Sequence, residues 1–392
     1  MMSIQSRREL LATLRPRYIA ASRSQKQVML DEFVCASGYH RKYAISLLSV
    51  MHPLPTTRRS SHHKTTYGLP VQAALIRCWA AANFICSKRL VPFLGELSSA
   101  LERHGELHLD EPTRVALASL SPATADRLLR KHRLTTRRHG LGTTKPGTLL
   151  RKQIPVRTFS EHDQTSPGSL EIDLVAHCGL TTAGEYLNTL TLTDIFTTWT
   201  EEVALCGRSQ ASVHAAIEAV RTRLPFKLRE IDSDNGSEFI NANLLRYAQA
   251  NQINFTRSRP YKKNDQAHVE QKNWSVVRQT VGYDRYEAGA AYEALRELYE
   301  VLRLYLNYYQ PSMKLVSKQR VGGHVKKVYD KAQTPYARVM ASEAVDESVK
   351  AGLREQYAKL NPVKLLAQLR VCQSNLWEAR VRSTNEATIP SK

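Results

Sequence analysis

Four acids stand where the chain could do phosphoryl chemistry: Asp173, Asp232, Asp234 and Glu270. Asp173 sits in LEIDLVAHC, a run that alternates apolar and polar residues as a strand does. Asp232 and Asp234 close the strand-like run FKLREIDS and open into Asp234-Asn235-Gly236, which is turn chemistry. Glu270 lies near the start of a helical run, and Asp194 and Glu238 are nearby in the chain. Hard divalent cations prefer carboxylate oxygens. Two such ions about 4 Å apart can clamp both the attacking and the leaving oxygen of a phosphoryl transfer. Three acids on two strands and one helix are a minimal way to hold them. Taken one at a time, a strand Asp, an Asp-Asn-Gly turn and a helix Glu are all ordinary surface residues.

Those acids need a sheet that brings distant segments to one edge. YLNTLTLTDIFTTW and TEEVALC follow the first strand as two more β-rich runs, with turns at Gly184-Glu185 and Phe196-Thr197-Thr198. An amphipathic helix over 209–224, the fourth strand, a helix over 237–251, a short strand at Ile253-Asn254-Phe255 and a helix over 267–281 come next. A long helix over 287–308 then carries apolar residues at Leu295, Leu298, Leu302 and Tyr305. Three antiparallel strands followed by alternating helices and strands predict a mixed α/β domain over 169–310.

The rest of the chain is distinguished by charge. The 392 residues hold 56 Lys+Arg and 36 Asp+Glu, a net charge of +20. Residues 1–160 hold 26 Lys+Arg against 9 Asp+Glu, a balance of +17, which points to a polyanion partner for that part. Val28, Met29, Phe33 and Val34 form one helical stripe, Ala36-Ser37-Gly38 a turn, and a second helix with Tyr39, His40, Arg41 and Lys42 turns Ala44, Ile45, Leu47 and Leu48 inward. This is a helix-turn-helix layout over 1–50, with side chains suited to phosphates and base edges. The Arg-rich N-terminus reads as a DNA-binding arm, with an organellar presequence as the other reading. Residues 51–68 read as a linker, and 69–104 as helical bundle core. The layout repeats over 113–133, where Ser121-Pro122 caps a basic helix bearing Arg127, Arg130 and Lys131, within a second DNA-binding region over 69–140 that ends with Arg137 and Arg138. A basic linker over 141–168 precedes the first strand. Residues 311–392 form a basic, Gly-punctuated segment with a helical tail.

Six scattered cysteines without a CxxC pair fit a reducing cytosol rather than a disulfide framework. His62, His63, Cys78 and Cys86 match no zinc-finger spacing. No run approaches the length of a membrane span.

The acids and their flanks together resemble a known family. Asp173, then Asp234 in SDNGSEF, then Glu270 after 35 intervening residues resembles the D,D-35-E signature of retroviral integrases and bacterial insertion-sequence transposases. IDSDNGSEFIN followed by FTRSRPYKKNDQAHVEQKNW resembles the integrase-core transposases of the ISNCY group. That resemblance implies an RNase H-like core, Mg²⁺ or Mn²⁺ (two ions) held by Asp173, Asp234 and Glu270, and strand cleavage and transfer on element ends. It also implies duplex DNA as partner, a dimer or tetramer in the DNA complex, no nucleotide cofactor, no membrane, and a cytoplasmic, nucleoid-associated location. Asp232 is expected to work on stability or behind the ligands. Arg257, Arg259, Lys262 and Lys263 form a basic loop before Glu270 suited to phosphates, with Lys272 and Arg278 as the basic residues on the helix itself. Asn264, His268 and Asn273 flank Glu270; His268 is expected either to meet a phosphate or to cap the helix. His177, on the face of Asp173, is expected either near the site or as a satisfied sheet histidine, and Trp199 and Trp274 as core. The competing readings are a silent transposase-derived DNA-binding regulator, which loss of one of the acids would favour, and an RNase H-like nuclease.

Overall fold

In the computed structural model the described residues are 2–49, 67–133, 165–234, 236, 238–258, 266–321 and 324–381. They fall into two compact units, Met1–Thr66 and Tyr67–Lys392. The first holds α1 (Ile4–Ala20), α2 (Arg23–Ser37) and α3 (Arg41–Ser49). The Arg-rich N-terminus is therefore a helix, started by Ser3, whose hydroxyl accepts the Ser6 N–H. Gly38, at φ +69°, ends α2 in a left-handed turn and donates its N–H to Val34 O. Leu11, Tyr18, Leu30, Phe33, Ala44 and Leu48 form the core of this unit. Because α1 supplies Leu11 and Tyr18, the buried stripe of α2 runs through Leu30, Phe33 and Ser37; Val28 is 57% exposed and Ile45 is also exposed.

The second unit begins with α4 (Leu69–Ala81), α5 (Ser87–Arg103), α6 (Glu111–Ala118) and α7 (Pro122–Leu129), the last continued by a 3₁₀ turn at Arg130–His132. The helical stretch expected over 69–104 is broken at Asn83 and Phe84, which take φ of 53° and 58°. Trp79 stabilises that break by donating Nε1–H to Ile85 O at 2.9 Å. Ser121 caps α7 through the Thr124 N–H, and Pro122 follows it.

The sheet contains β1 (Ser169–Ala176), β2 (Leu187–Asp194), β3 (Thr200–Cys206), β4 (Glu230–Ser233) and β5 (Asn254–Arg257) in the order β3-β2-β1-β4-β5. β1, β2 and β3 are an antiparallel meander, while β4 and β5 run parallel to β1. α8 (Gln210–Arg223) and α9 (Ala242–Ala250) connect β3 to β4 and β4 to β5, and pack one face of the sheet through Ile172, Leu190, Ile217, Ile231 and Leu244. The other face receives α10 (Ala267–Lys272), a π-helical turn (Asn273–Arg278), α11 (Gln279–Val281) and α12 (Ala290–Tyr309). This is an RNase H-like architecture, as the sequence leads one to expect.

Beyond it lie a separate hairpin of β6 (Leu315–Val321) and β7 (His324–Tyr329), then α13 (Pro335–Ala341), α14 (Glu347–Lys359) and α15 (Pro362–Glu378). The apolar residues of α4–α7 join those of α12 and α15 and the Val175 face of the sheet in one continuous core. All six cysteines are free.

Candidate active site

β1 and β4 lie side by side in parallel, with Glu171 next to Asp232 and Ile172 next to Ser233. Side chains alternate along a strand. Glu171 and Asp173 therefore share one face of β1, and Asp232 and Asp234 share the matching face of β4. The result is two rungs of acids: an inner pair, Glu171 and Asp232, and an outer pair, Asp173 and Asp234, where β4 has just ended.

The outer pair is electrostatically uncomfortable. Burial raises the Asp173 carboxyl to about 8, with the carboxylates of Asp234, Glu270 and Glu238 adding to the rise and the Leu174 N–H opposing it. Asp234 is raised to about 6, again by burial first, with the Gly236 N–H pulling it down and Glu238 pushing it up. Asp173 Oδ2 accepts the Asn273 side-chain N–H at 2.6 Å, and Oδ1 accepts the Leu174 N–H at 2.8 Å. Asp234 Oδ1 accepts the Gly236 N–H at 2.8 Å. Gly236 is wedged between carboxylates: a Cβ there would lie 2.8 Å from Asp234 Oδ1 and 2.8 Å from Glu238 Cδ.

The inner pair is tied to the element that carries Glu270. Glu171 Oε2 accepts the N–H groups of His268 at 2.9 Å and Val269 at 2.8 Å, the first turn of α10. Those backbone donors are satisfied by a carboxylate 97 residues away in sequence. Burial holds the Glu171 carboxyl well above the usual range, opposed by the Val269 N–H. Asp232 accepts the Thr256 hydroxyl at 2.7 Å, while the Gln266 amide donates to Asp232 O at 3.2 Å and to Asp232 Oδ2 at 3.4 Å. Gln266 immediately precedes α10. Glu270 itself is exposed, one turn before Asn273. Among the described residues no group of three or more His, Cys, Asp or Glu is gathered tightly enough to hold a metal ion.

The remaining candidates occupy varied places. Asp194 is buried at the end of β2, accepting N–H groups from Gly168 and Thr197. His177 is buried and satisfied at Nε2 by Thr189, 2.7 Å away. Its backbone N–H, like its side chain, belongs to the sheet. His268 contributes a backbone N–H at the helix start. Trp199 is core, but Trp274 is 60% exposed. The π-helical turn widens the helix there by one residue, so Val276 and Val277 take the buried positions. Lys272 is half-buried; burial lowers it to about 8, and the Glu202 carboxylate opposes that fall. Glu202 pairs with Thr191 across β3–β2, and Thr191 with Asp173 across β2–β1. Arg278 donates to Ala176 O at 2.9 Å and lies over the Tyr283 ring. Arg257 is buried at the end of β5. Arg259, Lys262, Lys263 and Asn264 lie outside the described residues, as do Arg137, Arg138, His62 and His63.

In the first unit Tyr39 and His40 fall in the turn before α3, with Tyr39 packed on Phe33 and Tyr43. Arg41 pairs with Asp31 and Lys42 is exposed. In the second, Arg127, Arg130 and Lys131 are exposed on α7 and the turn that follows it. Glu171 has no assigned role in the sequence alone, and Gly236 only that of a turn residue. The signal for Glu171 was present as spacing: Glu-x-Asp on the first strand mirrors Asp-x-Asp on the fourth.

Residues 163–263 match the integrase core domain, a span that includes Asp173 and Asp234 and ends before Glu270. An uncharacterized protein of Sinorhizobium fredii, y4rM, is 42% identical over 337 residues, covering 86% of this chain and 96% of that protein. Among solved structures, the catalytic core domain of BIV integrase is 16% identical, covers 43% of this chain and 91% of its own, and superposes with a TM-score of 0.29. The HTLV-2 integrase catalytic core domain in complex with magnesium is 13% identical, covers 30% and 72%, and gives a TM-score of 0.25. With a shared sequence along most of both chains, this chain belongs to the same family as the S. fredii protein y4rM and carries an integrase core domain within it.

Proposed function

We propose that this chain is a DNA transposase of the ISNCY type that binds the terminal inverted repeats of an insertion sequence, cuts the 3′ ends and joins them to target DNA. The observation that carries the reading is the setting of Asp173 on β1 beside Asp234 at the end of β4: burial first, and then the carboxylates of Asp234 and Glu270, raise its carboxyl. Three carboxylates from β1, the end of β4 and α10 repel one another, and a divalent cation relieves such repulsion. The donor set is all oxygen, which suits Mg²⁺ or Mn²⁺. Asp173, Asp234 and Glu270 are the residues that would hold two such ions. Bound there, the ions would supply Lewis-acid activation of the phosphate and of the attacking oxygen.

The chain's own groups do the positioning. Asn273 orients the Asp173 carboxylate through its amide, and Glu171 sets the start of the helix that presents Glu270. In the first reaction water attacks a phosphorus at the element end, breaking the P–O3′ bond to leave a 3′-OH and a 5′-phosphate. In the second, that 3′-OH attacks a target phosphodiester and expels a target 3′ oxygen. One ester replaces another, so no nucleotide cofactor is required. The basic residues of the first unit and of α7, with Arg137 and Arg138, would bind the ends. Arg257, Arg259, Lys262, Lys263, Lys272 and Arg278 would meet the strand near the site; of these Lys272 and Arg278 are half-buried and Arg257 is buried, so Lys272 and Arg278 are the ones to test first. Holding two ends together calls for a dimer or tetramer.

The test is cleavage of a labelled duplex carrying a candidate element end, with Mg²⁺. Asp234→Asn is expected to retain end binding and lose cutting. Undiminished cutting by that variant overturns the assignment.

A further inference from the structure

The β6–β7 hairpin stands outside the chemistry described so far. Among the described residues its strands pair only with each other. Residues 314–331 contain six basic side chains, Lys314, Lys318, Arg320, Lys326, Lys327 and Lys331, and a single acid, Asp330. That acid is already engaged at the base of the hairpin. It accepts the Lys314 backbone N–H at 2.6 Å and the Arg338 guanidinium at 2.8 Å. Arg338 also donates to Ser312 O at 3.0 Å, and Lys314 Nζ reaches Phe196 O at 3.0 Å, so the base is anchored to the body of its unit. Further out, no acid compensates the described lysines among the described residues. Lys326 and Lys327 are exposed and form no ion pair among the described residues. The register sets Lys327 opposite Lys318. An arrangement that concentrates positive charge on an anchored ribbon makes sense beside a polyanion.

We propose that this hairpin is a separate DNA-binding element, in which Lys326 and Lys327 contact the phosphates of duplex DNA. A two-stranded ribbon has the width that the major groove admits. Exposed Val316, Val328 and Tyr329 flank the lysines and offer apolar surface to the sugars. The inference rests on the reading above only in taking DNA as the partner; it does not require Asp173, Asp234 or Glu270 to cut.

The experiment measures binding of the full chain to two unrelated duplexes, without divalent metal, over a series of salt concentrations. Lys326→Ala/Lys327→Ala is compared with wild type and with Lys364→Ala, an exposed lysine on α15. Each lost phosphate contact reduces the slope of log affinity against log salt by about 0.9. The double variant is expected to lower the slope by about 1.8 on both duplexes and to melt at the wild-type temperature, while Lys364→Ala changes nothing. An unchanged slope overturns the proposal. Unchanged DNA binding with new self-association would show instead that the lysines serve to keep an open strand edge from pairing. Preferential loss of single-stranded RNA binding, with duplex DNA binding intact, also overturns it. Absence of cleavage by the wild-type chain would sink the transposase reading and leave this result standing.

Discussion

The two rungs of acids are one residue pair apart and made of the same chemistry, yet they are used in opposite ways. Glu171 and Asp232 meet donors that the protein itself supplies: two backbone N–H groups, a threonine hydroxyl and a glutamine amide. Asp173 and Asp234 meet one amide and local backbone, and otherwise face other carboxylates. The inner rung is structure because those donors tie it to α10 and β5, although Glu171 also feels the carboxylates of Asp232 and Glu270 and its Oε1 has no hydrogen-bond partner among the described residues. The outer rung is left to be answered by something from outside. Burial alone does not separate them, since desolvation leads the rise in pKa of Glu171, Asp173 and Asp234.

Removing an outer acid should break that comparison most visibly. Asp173→Asn is expected to lower Mg²⁺-dependent cleavage by about a thousandfold or more, roughly 4 kcal/mol of transition-state stabilisation. Its melting temperature should stay level or rise, because one of the repelling charges is gone. A calorimetric scan beside the cleavage assay checks both halves. A variant that cuts within tenfold of wild type would put Asp173 with the inner rung.

An inner substitution should show the reverse balance. Glu171→Leu leaves the His268 and Val269 N–H groups buried without their acceptor, a cost of about 3 kcal/mol in chemical denaturation. Glu171→Gln keeps an acceptor oxygen and should cost about 1 kcal/mol or less. Because Glu270 rides on the helix that Glu171 holds, Glu171→Leu should also lose about a hundredfold in cleavage at unchanged DNA binding. Equal stability of the Leu and Gln variants would contradict the helix-tethering role.

Gly236→Ala tests the space between the outer acid Asp234 and Glu238. The added methyl meets Asp234 and Glu238 at 2.8 Å, so the carboxylates must shift. Overpacking of this kind costs about 1–3 kcal/mol. The expected signature is a higher Mg²⁺ requirement for cleavage, and a Mg²⁺ titration matching wild type would show that the carboxylates yield freely.

Much of this was legible before any fold was drawn. Period-two alternation marked LEIDLVAHC and the two runs after it, and Asp-Asn-Gly marked the end of the fourth strand, so all five strands and the outer acids were visible in local chemistry. What was hidden depends on contacts distant in sequence. Glu171 acts on backbone 97 positions away, and no local pattern announces the partner. Trp274 was expected inside because α-helical spacing was assumed, and the π-helical turn moved it out. Apolar spacing alone turns Val28 and Ile45 inward, whereas α1 covers a different stripe and leaves both exposed. The helical region 69–133 looked self-contained in sequence, but its apolar faces meet α12 and α15.

The smallest effect concerns a third buried polar group on the same face of β1. His177 lies four residues beyond Asp173, and burial lowers it to about 3, with the Arg278 charge adding to the fall. The folded protein therefore keeps this ring neutral at a pH where the unfolded chain takes up a proton near its ordinary value of 6.5. Its contribution is present above pH 6.5 and is lost as pH falls toward 3, at up to about 1.4 kcal/mol per pH unit. The raised carboxyls of Asp173 and Asp234 have the opposite sign, because the folded state holds their protons more tightly as pH falls. His177→Gln retains a polar group beside Thr189 but cannot titrate. Denaturation at pH 7 and pH 5 should show wild type losing more stability on acidification than His177→Gln, by up to about 2 kcal/mol. Parallel losses in the two proteins would mean that the ring is reached by water, and that neutrality on this face belongs to the acids alone.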